Sequence, residues 1–341
     1  MGALNWSLIF SNAIYTAISI NAIAYALIAQ GLNVHFGYTG LLNFGQAAFA
    51  AAGAYAIAIP VSTYGWSFWA CIPVLITAAV LLALLLGIPT LRLRADYLAI
   101  VTIAASEIVR IGLNSVRFTW LTGGNDGLQR FTGDVERVNP LDPERYRLLP
   151  QIFGNRTQTF NEYDLFIIVA GWILVALASA YVYYLMRSPW GRVIKSIRED
   201  EDAARSLGKN IFSYKMQSLI IGGIIGALGG AVIAVGNRVA QPNNYSTALT
   251  FFAYTILILG GVARVKGPII GAMIFWFLIA FVDNVLSEVT REYTMPNWII
   301  LNANNFGQVK FILVGIGLVV LVVYRPQGIF GDKREQVFDV R

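Results

Sequence analysis

Residues 31–64 read GLNVHFGYTGLLNFGQAAFAAAGAYAIAIPVSTY and contain no Asp, Glu, Lys or Arg. The absence of charge extends outward from this stretch, because the first charged residue of the whole chain is Arg92. A charge-free segment of this length cannot keep a water-soluble domain solvated. Within it, residues 41–60 are rich in Gly and Ala and follow Gly37 and Gly40, which predicts a broken or re-entrant helix near 37–60.

The whole 341-residue chain has the composition of a membrane protein. Hydrophobic residues make up 57% of it, charged residues 13%, and the mean hydropathy is +0.62. The net charge of +6 is explained by basic loops on the cytoplasmic side, so we expect no nucleic-acid partner. With Cys71 and His35 as the single cysteine and the single histidine, we expect neither a metal site nor catalytic residues.

Segments of about 20 mostly apolar residues, the length that crosses a bilayer, recur along the chain. They predict an all-α, polytopic bundle of eight to ten spans in a single transmembrane domain over 1–341. The candidate spans lie at 7–30, 41–60, 68–88, 97–116, 163–186, 216–236, 247–263, 267–286 and 308–324.

The placement of Lys and Arg predicts the orientation of the bundle. A cytoplasmic C-terminus puts most basic residues inside, in the 91–94 turn, in residues 187–215, in the 264–266 turn and in the tail, as the positive-inside rule requires. Residues 117–162 then form an extracytoplasmic loop, rich in Gly and Pro, with the character of a docking or lid surface. The side of the N-terminus depends on whether 41–60 crosses the membrane.

The charged segment 187–215 separates two predicted spans and forms the predicted cytoplasmic coupling segment. Residues 197–207 predict one short amphipathic helix that Gly208 ends with a left-handed cap. Such a helix acts as a lever if its apolar side, including Ile197 and Leu207, seats in a groove of a soluble motor. A solvated loop anchored at the interface is the simpler alternative. The predicted coupling residues are Arg198, Glu199, Asp202, Ala203, Ala204, Leu207 and Gly208.

Glu107 and Arg110 are ionisable residues within a predicted span. Their i, i+3 spacing places them on one helix face, and unpaired charge at membrane depth is costly. We expect a structural ion pair, with substrate contact or a link to a partner subunit as the alternatives.

Small residues at intervals of four predict close helix packing. This pattern covers Gly222, Gly226 and Gly230, and also Gly267 and Gly271. Polar residues around the predicted break are candidates for a translocation path, since a discontinuous helix exposes backbone amides and carbonyls. These candidates are Asn33, Thr39, Asn43 and Gln46.

Several segments of the chain carry motifs of a known kind of protein. Residues 202–208, DAARSLG, resemble the Glu-Ala-Ala-x-x-x-Gly coupling motif of ABC importer permeases, with Asp in place of Glu. Further motifs lie in order at 31–49, 53–55, 91–102, 107–110, 121–124, 260–271 and 324–328, and together they resemble the branched-chain amino acid permeases of ABC transporters. The Arg-Leu-Arg-x-Asp-Tyr segment at 92–97 and the long 117–162 loop favour the M-type subunit. Gln46 stands where the family often has His, and it can still donate and accept hydrogen bonds.

The resemblance implies an importer in a bacterial-type cytoplasmic (inner) membrane that carries branched-chain or other neutral amino acids inward. It implies three kinds of partner besides membrane lipid: a second homologous permease, two cytoplasmic ATPase subunits and an extracytoplasmic binding protein. Residues 260–266 read GGVARVK and lack the second glycine and the hydroxyl of a phosphate-binding loop. ATP and Mg are therefore expected on the ATPase partners, and this chain is expected to bind no cofactor and to be no enzyme.

Three other functions stay open at this point. A urea or short-amide importer would resemble the same family. An ion-coupled secondary transporter would place carboxylates near the midplane, where Glu107 is the single candidate and Arg110 neutralises it. A membrane-embedded enzyme would need paired carboxylates, a His cluster or a Ser/Lys dyad, and the spans supply none clearly.

Overall fold

The computed structural model describes residues 5–93, 95–140 and 162–292, with isolated positions between 312 and 330. The described residues are helical apart from turns and one short antiparallel pair of strands, which confirms the all-α class. In that pair, Leu128 of β1 (Leu128–Gln129) lies opposite Ala240 of β2 (Val239–Ala240). Most of the expected span at 308–324, the C-terminal tail and the second half of the 117–162 loop lie outside the described residues.

The structure describes thirteen α-helices. In chain order they are α1 Trp6–Ile18, α2 Ile20–Leu32, α3 Gln46–Tyr64, α4 Ile72–Thr90, α5 Ala95–Leu113, α6 Thr119–Thr122, α7 Gly133–Val138, α8 Glu162–Arg187, α9 Pro189–Glu199, α10 Glu201–Ser206, α11 Ile211–Asn237, α12 Thr247–Gly260 and α13 Gly267–Glu292. We call the end of the bundle that carries residues 116–140 the loop end, and the opposite end, with residues 188–210, the segment end.

Five helical segments of the described residues are long and apolar enough to cross a membrane. They are Gln46–Tyr64, Phe68–Thr90, Glu162–Arg187, Ile211–Asn237 and Gly267–Glu288. Two bent pairs of helices raise the number to seven if each pair is one span. Helix α12 has only 14 residues, about 21 Å, and is short for the ~30 Å hydrocarbon core.

The predicted span at 7–30 is not one straight helix. Helices α1 and α2 meet at Ser19, whose backbone is extended, and the pair is bent by 43°. The Trp172 indole N–H donates to the carbonyl of Ile18 at 3.0 Å, and the Ser19 hydroxyl donates to the carbonyl of Thr16. Side chains therefore satisfy backbone groups that the interruption leaves without helical partners. The predicted span at 97–116 ends at Leu113, before its predicted end, because the chain bends by 56° after α5.

Helix α11 forms the centre of the bundle and packs against α2, α3 and α4. A methyl group on Gly230 would lie within 3.0 Å of the Ala50 carbonyl, and one on Gly53 would meet the carbonyl of Ala227 equally closely. Backbones of α3 and α11 are therefore in direct contact, which only glycine allows. A methyl group would also collide at the other glycines of the predicted packing set, with backbone atoms at Gly222, Gly267 and Gly271 and with the Gln46 side chain at Gly226.

Candidate functional site: an interrupted helix and the segment beneath it

The helix that begins with α2 changes its hydrogen bonding before it ends. Residues Asn33–Tyr38 form a π-helix, and residues 40–45 are irregular until α3 begins at Gln46. Gly40, with φ of +75°, turns the chain at this point. The break predicted near 37–60 therefore lies at the beginning of that range. π-Helical turns are rare and often lie at functional sites.

Asn33 joins the π-helix to the turn between α12 and α13. Its side-chain N–H donates to the carbonyl of Arg264 at 2.9 Å, and its side-chain oxygen accepts from the Ala263 N–H at 2.9 Å. Ala263 has a φ of +58°, in the left-handed region that non-glycine residues seldom adopt. The amide of Asn33 therefore supports a strained turn more than two hundred residues away in sequence.

His35 and Asn43 form the centre of the polar cluster at the break. The Asn43 amide donates to Nδ1 of His35 at 3.0 Å, so the imidazole keeps its proton on Nε2, which lies 3.1 Å from the carbonyl of Leu219. Asn43 also accepts from the N–H of Gly45 at 2.8 Å. A neutral, fully buried histidine thus links the break to α11.

Gln46 begins α3 and faces α2 and α11. Its side-chain N–H groups donate to the carbonyls of Ile28 at 3.4 Å and Gly222 at 3.2 Å. A methyl group on Gly226 would collide with this amide. The glycines of α11 therefore have a second effect beyond helix packing, since they leave room for the polar side chains of the break.

Hydroxyl groups from three other helices complete the cluster. Thr102 and Thr250 accept from the N–H groups of Phe44 and Ala47, each at 3.0 Å, and Ser218 lies 2.6 Å from the hydroxyl of Thr39. Tyr254 donates to the carbonyl of Asn43 at 3.0 Å. These four partners, with His35, were missed by the sequence analysis. Their one signal is a polar side chain within an apolar span, which by itself does not identify the group that it contacts.

The structure brings the four predicted path residues together around the break. Asn33, Thr39, Asn43 and Gln46 are each at most 2% exposed. Each makes hydrogen bonds to backbone or side-chain groups of the same chain. In this arrangement they hold the interrupted backbone. They carry both donors and acceptors, the two kinds of group that a zwitterionic amino acid requires.

The segment at 187–215 differs from its predicted form. Residues 197–207 are not one helix, because Asp200 has an extended backbone and ends α9. Its carboxylate accepts from the N–H groups of Asp202 and Ala203, both at 2.9 Å, and so begins α10 as an N-cap. An aspartate in this position favours a new helix start over continuation of the old helix.

The apolar residues expected on one side of a helix over 197–207 do not face the same way. Ile197 is 1% exposed and packs with Ala204 and Ile211, whereas Leu207 is 77% exposed. The prediction that both residues face a partner is therefore wrong for Ile197, since the kink at Asp200 turns the two short helices relative to each other. Gly208 has the left-handed backbone that was predicted, with φ of +77°.

Helix α9 contacts the π-helix directly. The guanidinium of Arg198 donates to the carbonyl of Gly37 at 2.6 Å, and the ammonium of Lys195 lies 5.9 Å from the centre of the Tyr38 ring. Arg198 thus caps a carbonyl that the interrupted helix leaves unpaired. The charged segment and the helix break therefore form one continuous structure at the segment end.

Glu107 and Arg110 contact each other on the last turns of α5. Arg110 also donates to the Asn243 side chain at 3.1 Å, and Glu107 accepts from the Thr247 hydroxyl at 3.3 Å. Their side chains are 36% and 23% exposed, respectively. The pair lies towards the loop end of the bundle and joins α5 to the connection between α11 and α12.

Several apolar helices of spanning length, one of them interrupted around a buried polar cluster, define a multi-pass membrane protein of the permease class. Comparison with known proteins identifies the family. The family profile described as "Branched-chain amino acid transport system / permease component" matches residues 14–322. The chain belongs to this family.

Three relatives are similar over most of this chain. The high-affinity branched-chain amino acid transport system permease protein LivM of Escherichia coli (strain K12) is 30% identical, over 98% of this chain and 74% of its own. The protein of the same name from Salmonella typhimurium is 30% identical, over 92% of this chain and 69% of its own. The probable branched-chain amino acid transport permease protein LivM of Methanocaldococcus jannaschii is 24% identical, over 91% of each chain.

Proposed function

We propose that this chain is a transmembrane permease subunit of an ABC importer that carries branched-chain or other neutral amino acids into the cytoplasm. The observation that carries the proposal is the family profile over 14–322, in a chain whose charged segment packs directly on a helix break. ATP and Mg bind to separate cytoplasmic ATPase subunits. An extracytoplasmic binding protein delivers the substrate, and a second, homologous permease completes the membrane assembly.

The coupling segment works through the two sides of its short helices. Asp202, Ala203 and Leu207 are exposed and form the side that an ATPase groove receives, while Ala204 is buried against the body of the protein. Burial of Leu207 in such a groove removes apolar surface from water and anchors the contact. Asp202 and Arg205 pair on the exposed side at 3.1 Å, and Gly208 returns the chain towards α11.

Movement of this segment reaches the helix break through Arg198. Its hydrogen bond to Gly37 and the contact of Lys195 with Tyr38 join α9 to the π-helix. When the ATPases displace α9, the break rearranges, and the buried amides of Asn43 and Gln46 exchange protein partners for the substrate. Hydrogen bonds at the break can be exchanged for bonds to the substrate, while Phe36 and Phe44 keep the break packed against Tyr254.

The orientation follows from the basic residues of the segment end, which we place in the cytoplasm. The loop end is then extracytoplasmic, and residues 117–162 form the surface on which the binding protein docks. The amino acid is selected mainly by the binding protein, so the site within the permease binds it weakly.

The decisive experiment is affinity purification of this chain from its native membrane in mild detergent, with mass spectrometry of the co-purifying proteins and an assay of ATP hydrolysis. We expect a second permease and an ATPase with phosphate-binding loops. Recovery of the chain alone, with uptake driven by an ion gradient after reconstitution, would show an ion-coupled secondary transporter instead.

Uptake assays identify the substrate class. In cells that lack the gene we expect reduced uptake of labelled leucine. Uptake of labelled glutamine tests whether the protein also carries other neutral amino acids. Loss of urea uptake alone would show that the chain belongs to a urea or short-amide importer instead.

A further inference from the structure

A cavity of about 660 Å³ opens at the segment end, between the last turn of α8, helix α9 and the turn that joins α12 to α13. Four of the residues that line it are basic: Arg187, Lys195, Arg264 and Lys266. No Asp or Glu is among the lining residues within the described part of the chain. A concave site lined by cations without carboxylates favours an anionic ligand.

Three of the four cations of this cavity form no ion pair with an acid of the described residues. Arg187 lies 4.2 Å from the centre of the Tyr183 ring, and Lys195 packs on Tyr38. Across residues 5–140 and 162–292, as far as they are described, no carboxylate forms an ion pair with Arg187, Lys195 or Lys266. Aromatic faces orient two of the charges but leave their positive field directed into the cavity.

The aromatic residues of α8 indicate the depth of the cavity in the membrane. Tyr181, Tyr183 and Tyr184 are 53%, 39% and 72% exposed and lie on the last two turns of α8, immediately before Arg187. Exposed tyrosines at the end of an apolar spanning helix mark the level of the lipid head groups. The mouth of the cavity therefore lies where phosphate groups of lipids are found.

We propose that this cavity binds the phosphate-bearing head group of an anionic phospholipid. The guanidinium of Arg187 and the ammonium groups of Lys195 and Lys266 contact the phosphate, while Met186 and Ile270 receive the beginning of an acyl chain. The proposal concerns lipid binding and does not depend on which substrate the protein carries, or on ATP.

Occupancy of this site affects the helix break through the α12–α13 turn. Ala263 and Arg264 line the cavity, and the same two residues form hydrogen bonds with Asn33 of the π-helix. Lys195, on the opposite wall, packs on Tyr38 of the same π-helix. A bound phosphate would therefore hold together two elements that contact the break from different sides.

The test is a titration of the delipidated, detergent-purified full chain with phosphatidylglycerol that carries a fluorophore on its acyl chain. Phosphatidylcholine that carries the same fluorophore is titrated separately for comparison. Inorganic phosphate is added as a competitor of the bound lipid. The Arg187→Gln/Lys266→Gln double variant is compared with Arg192→Gln/Lys209→Gln, which removes the same charge from exposed residues of the segment outside the cavity. Each cation near the lipid contributes a factor of about five, so the cavity double variant should bind phosphatidylglycerol about 30-fold more weakly.

We expect the control double variant to bind like the original protein, and Lys195→Gln alone to weaken binding about five-fold. Equal affinity for the two lipids, or equal loss in both double variants, would overturn the proposal. Displacement of the lipid by inorganic phosphate would assign the site to a free anion instead. Unchanged lipid binding with loss of a co-purifying protein would show that the cations contact a protein partner.

Discussion

Asp134 is a carboxylate of the loop end that supports the start of a spanning helix. It accepts from the N–H of Phe68 at 2.9 Å. This backbone hydrogen bond, followed by one from the Ser67 hydroxyl, lowers the pKa of Asp134 from its ordinary value. A lowered pKa in the folded protein means that the carboxylate stabilises the fold above the ordinary pKa of aspartate, and that this stability is lost as the pH falls through the lowered value.

We therefore predict that Asp134→Asn lowers the melting temperature at neutral pH, and that the difference from the original protein shrinks below about pH 4, near the ordinary pKa of aspartate. Differential scanning fluorimetry from neutral to acid pH measures both curves. Asp126→Asn, on the same loop, is the control. A difference that stays constant with pH would contradict the assignment of this carboxylate.

Glu107 is expected to affect stability more than substrate choice. Removal of its carboxylate by Glu107→Ala leaves Arg110 with its hydrogen bond to Asn243, so the loss should be modest, about 1 kcal/mol for a partly exposed ion pair. Thermal unfolding and uptake of labelled leucine and glutamine are the measurements. The matched control is Glu136→Ala, whose carboxylate lies 3.6 Å from Arg238 in a half-exposed pair. An altered substrate range at unchanged stability would refute this view and indicate substrate contact.

At the scale of elements, the contact between α3 and α11 depends on the absence of side chains. Gly230→Ala would place a methyl group against the Ala50 carbonyl, a backbone atom that cannot rotate away. We expect a loss of about 1–3 kcal/mol, as for overpacked cores. Gly112→Ala, in α5, meets no atom within 4 Å, and should be neutral or stabilising because alanine favours helix over glycine. Comparable melting temperatures for the two variants would mean that these helices are free to separate.

Helix α9 is predicted to transmit motion through Arg198. Arg198→Met keeps the length of the side chain but removes the hydrogen bond to Gly37, and a hydrogen bond to a charged group is worth about 1.5–3 kcal/mol. We expect uptake and substrate-stimulated ATP hydrolysis to fall about tenfold or more, with the ATPase still bound. Arg192→Met, on an exposed position of the same helix, is the control. Normal coupling in Arg198→Met would remove this residue from the pathway.

A substitution at Gly208 tests the end of the coupling segment. Gly208→Pro replaces a backbone with φ of +77° by one restricted to about −65°. The protein should remain inserted in the membrane but lose its coupling to the ATPase, measured as uptake together with ATP hydrolysis. If transport and stimulated hydrolysis both persisted, the segment would not be the coupling site.

For the whole molecule, the orientation can be measured with cysteines. Cys71 is fully buried and should not react, so a new cysteine reports on its own position. A membrane-impermeant maleimide should label Arg137→Cys in intact cells and Lys209→Cys only in inside-out vesicles, because the two residues lie at opposite ends of the bundle. The reversed pattern would place the segment end outside the cell and exclude contact with a cytoplasmic ATPase.

The sequence by itself determined the class of the protein and the positions of most of its helices. Hydropathy and charge are sums over neighbouring residues, so a stretch without charge before Arg92 predicts membrane helices whatever the rest of the chain does. The break near Gly40 was predictable for the same reason, since glycine and polar residues interrupt an apolar run locally.

Only the tertiary structure decided which groups meet at the break. Arg198 contacts Gly37, His35 contacts Leu219, and Ala263 contacts Asn33, across long separations in sequence. It also decided that Ile197 faces inward while Leu207 faces outward, because one extended residue, Asp200, turns the second helix. Hydrogen-bond partners depend on which distant backbone segments lie next to each other in the fold. The order of polar and apolar residues along the chain does not specify this.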